Sequence, residues 1–180
     1  MRMRARLGLT LDPQPAQLIG RVASAYDTNM RAVLQRVSSA SVAVDGETIG
    51  RINTGLVVLV GVEAGDVNRD ATVIADKISG LRVFGDEDGR MNLSLIDIDG
   101  SVLLISQFTL VADVRWGRRP SFVAAAEPAL AKPLIELIAV SLTSAGIDVA
   151  CGEFGAMMDV HLVNAGPVTV TLEVRGGRVV

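Results

Sequence analysis

The chain has 180 residues, nearly half of them apolar but few aromatic, with a formal net charge of −3. That length suits one domain whose Val, Ile, Leu and Ala core needs neither disulfides nor a structural metal. The lone Cys151 excludes an intrachain disulfide and fits a reducing compartment such as the cytoplasm. The slight acidity argues against bulk affinity for nucleic acid, so any RNA contact must come from a local basic patch or from end recognition.

Residues 1–29 read as an N-terminal extension. Arg2, Arg4 and Arg6 precede Leu7–Leu11, which is too short and interrupted for a signal-peptide core, and Pro13 and Pro15 break the segment again. It is either an arm or a stretch ahead of a true start at Met30, and the clean strand pattern that opens there favours the second reading. Arg31–Val37 alternates as a strand does. Ser41–Val44 and Glu47–Ile52 flank Asp45-Gly46, a pair suited to the positive φ angles of a tight hairpin. Leu56–Val62 is a continuous apolar run expected as a central strand. It and Leu134–Val140 are far shorter than the roughly 20 residues of a membrane helix, which excludes a spanning segment there.

Asp70 is expected to cap a helix reaching Leu81, with Val73, Ile74, Ile78 and Leu81 on its buried face. Leu81–Phe84 then returns as a strand. Gly85–Arg90 is an acidic turn, and Ser101–Ser106 is a buried strand. Arg115–Pro120 forms a basic loop. A second helix is expected from near Pro128 to Ala145, capped by Gly146, with Pro133 pointing to a later start. Ile147–Cys151, Asp159–Val163 and Val168–Val174 complete the strands. The expected architecture is an α/β single-domain layered sandwich of mostly antiparallel sheets covered by two main helices. The main domain would span 30–174, with a tail over 175–180.

The usual catalytic sets are missing. The only histidine, His161, alternates with Val160 and Leu162 and reads as a strand residue turned away from the core. Nothing around it or Cys151 supports a triad or a Cys-His pair. No zinc, Walker or dinucleotide motif is present, and Gly85–Gly89 lacks the spacing of a calcium loop, so neither metal nor cofactor is implied.

Three segments stand out instead. Ser106-Gln107-Phe108-Thr109-Leu110 ends a buried strand, as a site or as a strand that turns polar on surfacing. Gly166-Pro167 falls between two strand patterns, as a cis peptide or an ordinary hairpin turn. Arg115, Arg118 and Arg119 lie on a Gly/Pro-bounded loop, as phosphate contacts or as a solubilising surface.

Together these segments resemble the D-aminoacyl-tRNA deacylase family. Met30–Val37 looks like the family's opening strand, Ser106–Leu110 matches its SQFTL motif, and Arg118–Phe122 matches its RPSF region. Gly152–Met158 is similar to its GxFGAxM stretch, and Asn164–Thr169 resembles its NxGPVT motif. Ala165 departs from the Asp often found there, which removes one side-chain hydrogen bond from the turn.

The resemblance implies a homodimer that hydrolyses the ester between the tRNA 3′ end and a D-amino acid or glycine. It implies that Gly166 and Pro167 form a cis peptide reaching into the partner's pocket, where their carbonyls hold the substrate amino group and bar an L side chain. Ser106, Gln107, Phe108 and Thr109 would line the catalytic pocket, with main-chain N–H groups at Phe108 and Thr109 stabilising an oxyanion and the ribose 2′-hydroxyl activating attack. Met157, Phe154 and Asn164 would support the pocket, although plain core packing suits Met157 equally well. A general esterase using Thr109 or Ser106, a non-catalytic RNA-binding module and a structural dimerisation protein are the rival readings.

Overall fold

The computed structural model describes residues 29–180. The extension expected over 1–29 therefore lies outside the described residues, apart from Asn29. One mixed sheet of seven strands dominates the domain. Its strands are β1 (Met30–Val44), β2 (Glu47–Ile52), β3 (Gly55–Gly61), β6 (Ser101–Ser106), β7 (Val149–Cys151), β8 (Asp159–Arg175) and β9 (Arg178–Val179). A separate hairpin joins β4 (Phe84–Gly85) to β5 (Met91–Leu93). The helices are α1 (Asn68–Gly80) and α2 (Pro128–Ser144), and a short 3-10 turn, η1, spans Phe108–Val111.

The order β7-β6-β3-β1-β8-β9, with β2 also on β1, differs from a stack of antiparallel sheets. β1 runs antiparallel to β2, β3 and β8, but the β3–β6 and β6–β7 pairs are parallel. The long α1 and α2 connections permit this, because a parallel neighbour needs a crossover rather than a tight turn.

The sheet is curled, and this explains why its central strands read as unbroken apolar runs. Leu56, Val58, Val60, Val102 and Leu104 face a core shared with α1 and α2. Val57, Leu103 and Ile105 face the opposite way, into a second core with Val37, Ala40, Val42 and Ile52. Burial on both faces erases the period-2 signal. The curl brings β2 over β6 and β7. A Cβ at Gly50 would lie 3.2 Å from the Cys151 carbonyl oxygen, so the glycine permits that approach.

Several boundaries differ from those the sequence suggests. α1 starts at Asn68, ahead of Asp70, and Val67 is the capping position. Asp70 Oδ2 instead reaches back to accept from the Val67 N–H at 2.9 Å. Leu81–Val83 does not form a strand: Arg36 donates to the Val83 carbonyl, which a sheet neighbour would otherwise use. α2 begins at Pro128 and runs through Pro133. The lost N–H falls in the second turn, while Ala131, Leu134, Ile138 and Leu142 are buried. At roughly 1.5–3 kcal/mol for each fully buried Leu or Ile, that face outweighs the proline. The final strand of the second αβ unit begins at Val149 rather than Ile147. The last residues, expected as a tail, fold back as β9 on β8.

Asp70 ties this hairpin to α1. Asp70 is 3 % exposed, and its Oδ1 accepts from the Gly177 N–H at 2.6 Å. Asp70→Ala orphans two main-chain donors at once. It is expected to cost about 1–3 kcal/mol, read as a lower urea midpoint with an unchanged slope. An unaltered midpoint contradicts this role.

Candidate functional site

Where β6 ends, the chain leaves the sheet through Gln107 and tightens into η1. The Gln107 N–H still donates to the Val60 carbonyl at 2.7 Å, and the Leu110 N–H donates to the Gln107 carbonyl at 3.1 Å. A helical turn leaves its leading N–H groups without carbonyls inside the turn. Those of η1 are Phe108 and Thr109. The turn lies close against β3: a Cβ on Gly61 would stand 2.9 Å from Leu110 Cβ and 3.0 Å from the Gln107 carbonyl oxygen.

Two contacts brace η1 from outside. Arg31 donates to the Leu110 carbonyl at 3.2 Å, and its guanidinium pairs with the buried Glu63 carboxylate at 2.9 Å. Glu63 also accepts from the Asn29 N–H at 3.1 Å. The Phe108 ring meets the Phe122 ring edge-on, with centroids 5.0 Å apart. Sequence reasoning missed Arg31 and Glu63. Nothing in their spacing pairs them; only the β1–β3 ladder does.

Ser106, Gln107, Phe108 and Thr109 all line one cavity of about 690 Å³. Its other walls come from β3, the start of α2 and the 154–160 segment, including Phe154, Met157 and Met158. No lining residue is acidic, basic, His or Cys. Gln107 Nε2 donates to Thr109 Oγ1, so the hydroxyl's neighbour is an amide rather than a base. Met157 is 91 % exposed at the rim and does not pack in the core. Gly152 makes room for Met158, whose sulfur would lie 2.6 Å from a Cβ there.

His161 sits outside this cavity. It faces away from the core opposite Ser41, as its alternation with Val160 and Leu162 implies. Cys151 is an exposed free thiol, also outside the lining.

Gly166 and Pro167 do not join the cavity within one chain. They line a different cleft, with Arg36, Ser38, Phe84 and Met91. The sequence suggests two strands with a turn between them, but β8 is continuous and pairs with β1 on both sides. Gln35 pairs with Thr169 and Val37 with Asn164, so residues 165–168 bulge from the ladder opposite Arg36. The Gly166-Pro167 peptide is cis. Arg36 Nε donates to the Ala165 carbonyl at 3.0 Å. Gln35 Oε1 accepts from Asn164 Nδ2 at 3.0 Å and from Thr169 Oγ1 at 3.1 Å, pinning both ends of the bulge. Asn164 therefore braces this segment rather than the cavity wall. Gly166 has φ +121°, and a Cβ there would stand 2.5 Å from Arg36 Nη2.

The basic loop stands beside the cavity, not in it. Arg115 clasps Asp113 through Nε at 2.9 Å and Nη2 at 2.7 Å. This clasp holds the Asp113 carboxyl down at about 2. Arg118 and Arg119 are exposed and make no ion pair among the described residues.

Fold and site together define a single-domain mixed α/β protein whose candidate cavity is lined by apolar and uncharged polar residues. The family model and the curated relatives agree on its family. The model of the D-Tyr-tRNA(Tyr) deacylase family matches residues 33–173. A D-aminoacyl-tRNA deacylase from Roseiflexus castenholzii is 56% identical over 144 residues, 80% of this chain and 92% of the relative. One from Bacillus thuringiensis is 54% identical over 80% of this chain and 99% of its own. A solved c-Myc DNA Unwinding Element Binding Protein matches with a TM-score of 0.76 and 37% identity, over 81% of this chain and 99% of its own. A probable eukaryotic D-amino acid tRNA deacylase shares the fold alone, with a TM-score of 0.71 at 16% identity over 81% of this chain and 100% of its own. The chain belongs to the D-Tyr-tRNA(Tyr) deacylase family.

Gly61→Ala tests how the main chain of the site is placed. The added methyl is expected to cost about 1–3 kcal/mol by overpacking. It should shift the amide resonances of Phe108–Leu110 more than those of α2. Equal shifts throughout would contradict close seating of η1 on β3.

Proposed function

We propose that the protein hydrolyses the ester of D-aminoacyl-tRNA, and of glycyl-tRNA, while sparing L-aminoacyl-tRNA. The observation that carries the reading is a cavity lined by Ser106–Thr109 that contains no ionisable side chain. Ester hydrolysis there must be driven by main-chain dipoles and by groups of the substrate itself.

The N–H groups of Phe108 and Thr109 stabilise the oxyanion that forms as water attacks the ester carbonyl. One such donor is typically worth about 3 kcal/mol of barrier. The 2′-hydroxyl of the terminal ribose supplies the proton relay that no side chain here offers. Thr109 is not the nucleophile, because the group beside its hydroxyl is the Gln107 amide, which cannot take a proton.

Handedness requires a rigid contact near the α-carbon, since the ammonium and carbonyl groups look alike in both enantiomers. Repulsion of the wrong ligand provides it. The Gly166-Pro167 segment of a second subunit enters the cavity. Its carbonyls hold the substrate ammonium and occupy the space an L side chain needs. Glycine has nothing to exclude and passes. The homodimer is supported by the separation within one chain of the bulge and the cavity, which line different clefts. Three hydrogen bonds linking Arg36 and Gln35 to the bulge and its ends, with Arg36 also anchored on the Val83 carbonyl, make the bulge suited to steric gauging.

The test compares matched D- and L-aminoacyl-tRNA and a D-aminoacyl ester lacking RNA. Rapid deacylation of the D-aminoacyl-tRNA alone is expected. Equal turnover of the RNA-free ester would instead support a general esterase, and tRNA binding without turnover a non-catalytic module. Thr109→Ala keeps the main-chain donor and should lose well under about 100-fold. Complete loss, with an acyl-enzyme trapped in the wild type, would restore Thr109 as nucleophile.

A further inference from the structure

Trp116 is the only tryptophan in the chain, and it is 81 % exposed. A single exposed indole is ordinary by itself, but at a loop tip it presents a large flat face to solvent, and its surroundings decide what that face can meet. The loop is closed at its base: Asp113 and Ser121 exchange main-chain hydrogen bonds at 2.8 and 2.9 Å. The Arg115–Asp113 clasp stiffens the arm that leads to Trp116. Just beyond the base, the Phe122 ring packs on Phe108, which lines the cavity. The loop therefore springs from the cavity's own rim.

Its chemistry is that of a single-stranded nucleic-acid platform. Arg118 and Arg119 follow the indole and form no ion pair among the described residues. An aromatic face for a base beside cations for the backbone is how proteins hold single strands without reading their sequence. The overall charge is −3, so this local patch must supply affinity that the whole surface cannot.

Resting on the deacylase reading above, we propose that Trp116 stacks on a base of the single-stranded 3′ end of the tRNA while Arg118 and Arg119 hold the adjoining phosphates. The platform guides the esterified end into the neighbouring cavity. Trp116 thus acts in binding and does not touch the reacting ester.

The full chain is titrated with a short single-stranded RNA carrying the tRNA 3′ terminal sequence, following tryptophan fluorescence. Quenching reports on Trp116 alone. By polarisation of labelled RNA, Trp116→Ala should weaken binding about 5- to 150-fold, and Trp116→Phe should retain most of it. Arg118→Gln with Arg119→Gln should flatten the log–log salt dependence by about 1.4, whereas Trp116→Ala should leave that slope unchanged. With D-aminoacyl-tRNA, Trp116→Ala should raise KM and keep kcat.

Unquenched fluorescence, or a Trp116→Ala protein that binds RNA like wild type, overturns the proposal. So does loss of dimer in that variant, which would make the indole an interface residue. Quenching without deacylation by wild type would instead defeat the deacylase reading and leave the platform standing. Deacylation by Trp116→Ala with wild-type KM would do the reverse.

Discussion

Between Gln35 and Val37 the β1–β8 ladder loses its register, and the four residues on β8 opposite that gap must leave the sheet. The position of the Gly166-Pro167 bulge follows from this mismatch. The ladder is intact on both sides, from Val170 to Val174 and from Asp159 to Val163, so the bulge is held at both ends rather than hanging as a loop. Gln35 and Arg36, adjacent on β1, hold it with opposite chemistry. Gln35 accepts from Asn164 and Thr169, while Arg36 donates to Ala165 and Val83. The φ of +121° at position 166 favours glycine, and a Cβ there would also press on the Arg36 guanidinium.

The cavity depends on the same sheet through a different device. Burial of β3 and β6 on both faces fixes where β6 ends, and the end of β6 fixes η1. Gly61 lets η1 approach β3, and Arg31, steadied by Glu63, holds the far side of the turn. Main-chain donors are useful in catalysis only if they need not reorganise during the reaction. The β3–β6 pair and the Arg31–Glu63 ion pair supply that rigidity without placing a charge in the cavity.

Much of this was legible in the sequence, for identifiable reasons. The Asp45-Gly46 hairpin, the buried runs of β3 and β6 and the apolar face of α1 follow from local pattern, and the structure contains them. Ser106–Thr109 stands out in the sequence through its match to the SQFTL motif, since a strand that turns polar on surfacing would look the same, and all four residues line the cavity. β8 was not legible as one strand, because Gly166-Pro167 looks locally like a turn and only the pairing with β1 shows otherwise. The motif resemblance places Asn164 near the pocket, but its hydrogen bond to Gln35, far away in sequence, is visible only in the fold. Arg31 escaped notice for the same reason, and Leu81–Val83 looked like a strand because β propensity does not reveal that a guanidinium holds the Val83 carbonyl.

The central claim is that the bulge of one protomer gauges the substrate in the cavity of another, and subunit complementation tests it most directly. One chain carries Gly166→Ala, which disrupts the bulge; the other carries Ala156→Trp, which fills the cavity. Each homodimer should be impaired in D-selective deacylation. Mixed dimers join the sound cavity of the first chain to the sound bulge of the second, and selective activity should return. If mixing restores nothing although heterodimers form, each cavity is served by its own chain and the account is wrong.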